Sequence, residues 1–102
     1  MLNVVLLCQF GASTGMLAEN IRKAADTRNI EMVINAYSIA DAKNVVGNAD
    51  VILLGPQLRY QKDVIVKLLD DKKTPIIVIE PLDYGMMNGE NVLNLILNEV
   101  KA

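Results

Sequence analysis

The 102-residue chain has no histidine, no tryptophan and only one cysteine. Without histidine it cannot build a Cys-His or Ser-His-Asp constellation from its own residues. A single cysteine cannot form an internal disulfide, which fits a reducing compartment, the cytoplasm. Ten basic residues against twelve acidic give a net charge of −2. No basic patch dominates, so nucleic acid is not an expected partner. Long hydrophobic runs are lacking too. The apolar segments reach strand length only, which excludes a membrane-spanning helix, and Leu2 to Leu7 has neither the basic flank nor the cleavage site of a leader. No cluster of His, Cys and carboxylates has metal-ligand spacing, so neither a metal nor a cofactor is expected.

What is present is apolar content: 52% of residues, enough for a real core. Residues 1–102 are expected to form one domain. Four short apolar runs recur, Val4 to Leu7, Met32 to Ala36, Val51 to Leu54 and Ile76 to Ile79. Three are continuous, as strands covered on both faces of a parallel sheet are. The second is interrupted by Asn35, which places it at an edge. Helical periodicity fills the gaps, over Thr14 to Arg28, a stretch capped by Ser38 and stopped near Gly47, Gln57 to Asp70, and Asn88 to Lys101. Strand and helix alternate. Right-handed crossovers then predict a three-layer α/β fold, a four-stranded parallel sheet of order 2-1-3-4 with helices on both faces. That is a truncated flavodoxin-like order, with the loop after the first strand at the topological switch point where ligands bind.

Cys8 ends that first strand and opens that loop. Gln9, Phe10, Gly11, Ala12, Ser13, Thr14 and Gly15 follow before the helix. A small-residue loop leading into a helix N-terminus presents backbone N–H groups to an anion, most often phosphate. A lone cysteine at a strand end is often only a small core hydrophobe; the glycine and hydroxyl residues that follow tip the reading toward phosphate. The loop is not a Walker A motif, because its nearest lysine is Lys23, far along the helix. Nor does it have the three spaced glycines of a dinucleotide fingerprint. Cysteine-dependent phosphatases place an arginine six residues after the cysteine. Thr14 stands there, and the nearest arginine is Arg22. Without the guanidinium fork, the loop suits holding phosphate better than hydrolysing it.

The chain resembles the IIB component of the bacterial phosphoenolpyruvate-dependent sugar phosphotransferase system (PTS), lactose/cellobiose (chitobiose) family. The resemblance rests on Leu6-Leu7-Cys8, Gly11 and Ser13-Thr14, on Ala49 to Tyr60 with its Leu-Leu-Gly-Pro-Gln core, and on Tyr84-Gly85. It implies that Cys8 accepts phosphate from a phosphohistidine of IIA and passes it to a sugar bound by the membrane component IIC. It also implies that residues 9–15 cradle the phosphate, mostly through backbone amides. The missing histidine fits, since the donor histidine belongs to IIA. Such a carrier is expected to be a cytoplasmic monomer that meets the inner face of the membrane only through IIC.

Gly55-Pro56-Gln57 and Asp83-Tyr84-Gly85 follow the third and fourth strands, on the same sheet edge as Cys8. Gly55 and Pro56 read as a turn that stops a strand and starts a helix. Gln57, Tyr60 and Tyr84 are candidates for the site edge or for partner contact. Asp83 reads as a solvated turn residue directed away from the phosphate, and Met86 and Met87 as buried gap-fillers. Two rival functions stand beside the carrier. One is a cysteine phosphatase or arsenate-reductase-like hydrolase. The other is a non-catalytic regulatory domain in which Cys8 is an ordinary buried thiol.

Overall fold

The computed structural model describes residues 1–9, 14–70 and 72–100. Four parallel strands, β1 (Leu2–Cys8), β2 (Met32–Ser38), β3 (Val51–Leu54) and β4 (Ile76–Val78), form one sheet in the order β2-β1-β3-β4. The central strands β1 and β3 are two of the three continuous apolar runs, as their two covered faces require; the third, β4, stands at an edge. The interrupted run, β2, is an edge.

Side chains alternate between two cores. Val4, Leu6, Ile34, Val51 and Leu53 lie in one cluster with Leu17, Ile21, Val92, Leu93 and Ile96, which come from α1 (Thr14–Thr27) and the C-terminal helix Gly89–Val100. Val5, Leu7, Ile52 and Leu54 lie in the other with Ala42, Val46, Leu58, Ile65 and Leu69. The opposite face is therefore covered by α2 (Ala42–Val45), α3 (Lys62–Leu69) and the 3₁₀ segments flanking them. This is the expected three-layer arrangement.

Three elements depart from the expectation. The helix after β2 is broken into a 3₁₀ turn at Ile39–Asp41, the single α turn of α2 and a second 3₁₀ turn at Val46–Asn48. Only Ala42 and Val46 of this stretch are buried, while Ile39 and Val45 pack partly against the same core. The next helix begins as 3₁₀ over Pro56–Gln61 and turns α only at Lys62. A short helix, α4 (Pro81–Gly85), occupies what reads in sequence as a loop after β4, with Pro81 starting it. The helix Gly89–Val100 is then α5.

Candidate functional site

The register of the sheet determines what surrounds Cys8. Leu6 pairs with Leu53 and Leu7 with Leu54, and the Gly55 amide donates to the Leu7 carbonyl at 3.1 Å. Gly55 therefore lies beside Cys8 on one side, while Ser38 is the Cα partner of Cys8 on the other. Beyond Gly55, Ile79 continues the row, its amide donating to the Leu54 carbonyl at 2.9 Å. By the alternation of the strands, these residues face the α1–α5 side of the sheet, the side on which Ile79 is buried.

The row at the carboxyl edge thus reads Ser38, Cys8, Gly55, Ile79, directly above a row of Ala36, Leu6, Leu53 and Ile77. Large apolar side chains give way, in one step, to a hydroxyl, a thiol and a gap. The Cys8 side chain is only 4% exposed. The Ser38 hydroxyl donates to the Gln9 carbonyl at 3.4 Å and accepts from the Ala40 amide at 3.2 Å. It caps the turn after β2, as expected, and also ties that turn to the first residue after the cysteine.

The gap at Gly55 is occupied by two side chains from other elements. A Cβ placed on Gly55 would lie 3.1 Å from Gln57 Oε1 and 3.6 Å from Tyr84 Cε1. Adjacent strands are about 4.8 Å apart. The Gln57 carboxamide, from the 3₁₀ segment after β3, and the Tyr84 ring, from α4, therefore close over Gly55, the residue across from Cys8 on the neighbouring strand. Tyr84 is half-buried against the α1–α5 core. Tyr60 is 69% exposed. Residues three apart in a 3₁₀ turn eclipse one another, so Tyr60 lies on the same side as Gln57 but out in solvent.

Phe10, Gly11, Ala12 and Ser13 lie outside the described residues, as does the side chain of Thr14. Gly15 is exposed in the first turn of α1, with nothing within 4 Å of where a Cβ would stand. Arg22, the arginine nearest in sequence to Cys8, is engaged elsewhere. Its Nη2 donates to the Ile34 carbonyl of the edge strand at 2.6 Å, and its Nη1 pairs with Glu19.

Two expectations at this edge are corrected. Asp83 is not a solvated turn residue. It is buried in α4, and its carboxylate accepts from Asn91 Nδ2 at 2.7 Å, which ties α4 to α5. Met87 packs against the core, but Met86 is largely exposed. What the sequence reading missed is Gly55 and Ser38 as the two neighbours of Cys8. The signal was available in the spelling: Val4-Val5-Leu6-Leu7 and Val51-Ile52-Leu53-Leu54 are similar apolar runs, each ending in a small residue, Cys8 and Gly55.

No described helix is long and apolar enough to cross a membrane. Residues 3–95 match the family model of the PTS system, lactose/cellobiose-specific IIB subunit. The galactose-specific EIIB component of Lactococcus lactis subsp. cremoris is 37% identical over 95 residues, covering 88% of each protein. The solution structure of a cellobiose-specific phosphotransferase IIB component from Borrelia burgdorferi superposes with a TM-score of 0.76 at 41% identity, over 95% of this chain and 89% of that one. The lactose-specific IIB domain of Streptococcus pneumoniae shares the fold, with a TM-score of 0.84 at 20% identity and 95% of each chain covered. A two-core parallel sheet with a thiol at its switch point, matched along almost its whole length, makes this chain a member of the lactose/cellobiose-specific IIB family of the sugar phosphotransferase system.

Proposed function

We propose that residues 1–102 act as a single IIB domain that carries phosphate on Cys8. The thiol first loses its proton to solvent water. The sulfur then attacks the phosphorus of a phosphohistidine on IIA in line, so that an S–P bond forms as the N–P bond breaks and the electron pair returns to the imidazole nitrogen. In the second transfer the S–P bond breaks as a hydroxyl oxygen of the sugar held by IIC bonds to phosphorus, and the thiolate is regenerated. The hydroxyl proton leaves to a base on the IIC side. The amides of residues 9–15 stabilise the charge on the equatorial oxygens.

The observation that carries this reading is the row at the carboxyl edge. A cysteine kept only for packing would have leucine-like neighbours. Cys8 has Ser38 and Gly55 beside it, with a carboxamide and a phenol ring drawn into the gap. The engagement of Arg22 with Ile34 and Glu19 weighs against a hydrolase of the arginine-dependent kind. Around the same edge, Met16, Tyr60 and Leu82 are exposed at 64%, 69% and 71%. This rim suits brief, successive docking of IIA and of cytoplasmic IIC surfaces, with the carrier itself a cytoplasmic monomer.

The experiment is transfer from phosphorylated IIA. Wild type is expected to gain a phosphate mass increment on the Cys8 peptide and to return it when IIC and sugar are supplied, whereas Cys8→Ala stays unlabelled. Equal labelling of Cys8→Ala would overturn the mechanism. The burial of Cys8 is what favours a second reading, a non-catalytic domain on the same fold. That reading predicts that iodoacetamide leaves the native thiol unmodified near neutral pH and that IIA transfers nothing to it.

A further inference from the structure

Gly55 invites an explanation that its backbone does not supply. Its φ of −60° and ψ of 154° are extended values that any residue adopts. Nor does a main-chain group forbid a methyl there, since the nearest backbone atom, the Leu7 carbonyl oxygen, is 3.8 Å from the Cβ position. The one close neighbour is Gln57 Oε1, at 3.1 Å. The space a side chain would fill next to Cys8 is filled by the end of Gln57.

We propose that Gly55 is a seat for the Gln57 carboxamide, and that this carboxamide is a side-chain donor to the phosphoryl group held on Cys8. The inference rests on the carrier reading and adds a side chain to a site otherwise built from backbone amides. With Oε1 lodged against Gly55, the same planar group bears two Nε2–H donors. Gly55 and Cys8 are neighbours across adjacent strands and face the same side of the sheet, so a carboxamide seated on Gly55 stands across one strand spacing, about 4.8 Å, from Cys8. Gln57 follows Pro56, whose fixed φ begins the 3₁₀ turn and sets the angle from which the side chain returns over Gly55. A glutamine suits a relay: it donates to a dianionic phosphoryl group without the full positive charge that would hold it there.

The test compares single-turnover phosphate transfer from phosphorylated IIA to wild type, Gln57→Ala, Gln57→Glu, Gly55→Ala and the Gly55→Ala/Gln57→Ala pair. Removing a donor to a charged oxygen lowers rates by about 10- to 100-fold, so Gln57→Ala should fall in that range. Gln57→Glu, which keeps the shape but sets a carboxylate against the phosphoryl group, should fall further. Gly55→Ala, which displaces the carboxamide without removing it, should lower the rate by a smaller factor. Its effect should then vanish in the Gln57→Ala background, leaving the pair within about twofold of Gln57→Ala, as expected of coupled neighbours. Two results overturn the proposal: Gln57→Ala transferring within about twofold of wild type, or Gly55→Ala lowering the rate equally with and without Gln57. The Gln57 variants decide the matter even if Gly55→Ala folds poorly, because Gln57 is an exposed residue. A wild type that accepts no phosphate sinks the carrier reading itself, whereas a wild type that labels normally beside an equally fast Gln57→Ala sinks only the role of Gln57.

Discussion

Gly89→Ala is expected to be among the most destabilising single-methyl changes in the chain. Gly89 is the first residue of α5, and a Cβ there would lie 2.5 Å from both the carbonyl carbon and oxygen of Asn20 and 2.7 Å from the Ile21 nitrogen. Carbon atoms at van der Waals contact are about 3.5–4.0 Å apart, and all three obstacles belong to the α1 backbone, which has no rotamer to yield. Helix α5 must therefore back away from α1 by roughly 1 Å, a gap that forfeits a quarter to a half of each affected contact. The contacts at stake include those of Val92, Leu93 and Ile96 with Leu17, Ile21 and Ala24, all buried in the same core. The hydrogen bond from Asn20 Nδ2 to the Met87 carbonyl, 2.9 Å long, spans the same junction and would stretch as well. Overpacking of about 1–3 kcal/mol and a weakened hydrogen bond of about 1 kcal/mol are offset by at most about 1 kcal/mol of helix propensity. The net loss is about 1–3 kcal/mol, or a fall in Tm of roughly 5–20 °C at the 4–8 °C per kcal/mol of a domain this size. Thermal melting followed by circular dichroism measures it. Gly85→Ala is the control, since nothing lies within 4 Å of its Cβ position. If Gly89→Ala melts within about 2 °C of wild type, the α1–α5 junction is looser than the packing argument requires and the reasoning fails.

Gly15→Ala, in the open first turn of α1, should raise stability by about 0.5–1 kcal/mol in urea titration, through helix propensity and a less flexible unfolded chain. Asp83→Ala removes the acceptor for Asn91 and should lower stability by about 1 kcal/mol while leaving phosphate acceptance from IIA unchanged; a lost transfer rate would place Asp83 in the site after all. The Arg28–Glu90 pair joins the turn after α1 to α5 at the exposed surface, and a double-mutant cycle there should give a coupling below about 1 kcal/mol that shrinks further in high salt.

The fold was legible because its determinants are local. The continuous runs of β1 and β3, the broken run of β2 and the helical stripes between them each announce their place in the sheet. The elements that escaped reading are those in which tertiary packing overrides period. At Ile39–Asn48 short turns replace a helix, and at Pro81–Gly85 a helix is stabilised by the buried Asp83–Asn91 contact with α5, a partner eight residues away that no local pattern reveals. Cys8 stood out in the sequence because a thiol between a strand and a small-residue loop is chemically conspicuous. Gly55 did not, because its meaning lies across the sheet. As a strand terminator it is ordinary, and it becomes informative only when placed beside Cys8 with Gln57 and Tyr84 closing over it.

That placement is a consequence of the core, which links the stability of this protein to its site. Four consecutive pairs, Val4 with Val51 through Leu7 with Leu54, hold β1 and β3 in register, and every one of the eight side chains is buried. A slip of one residue would turn each of them on one strand to the opposite face, a loss the sheet cannot absorb. The same slip would set Leu54 or Pro56 beside Cys8 and remove the seat that Gly55 provides. The apolar pairs thus act at a distance on the thiol. They fix which residue stands next to it, because eight buried side chains would have to turn over before Gly55 could leave its place beside Cys8.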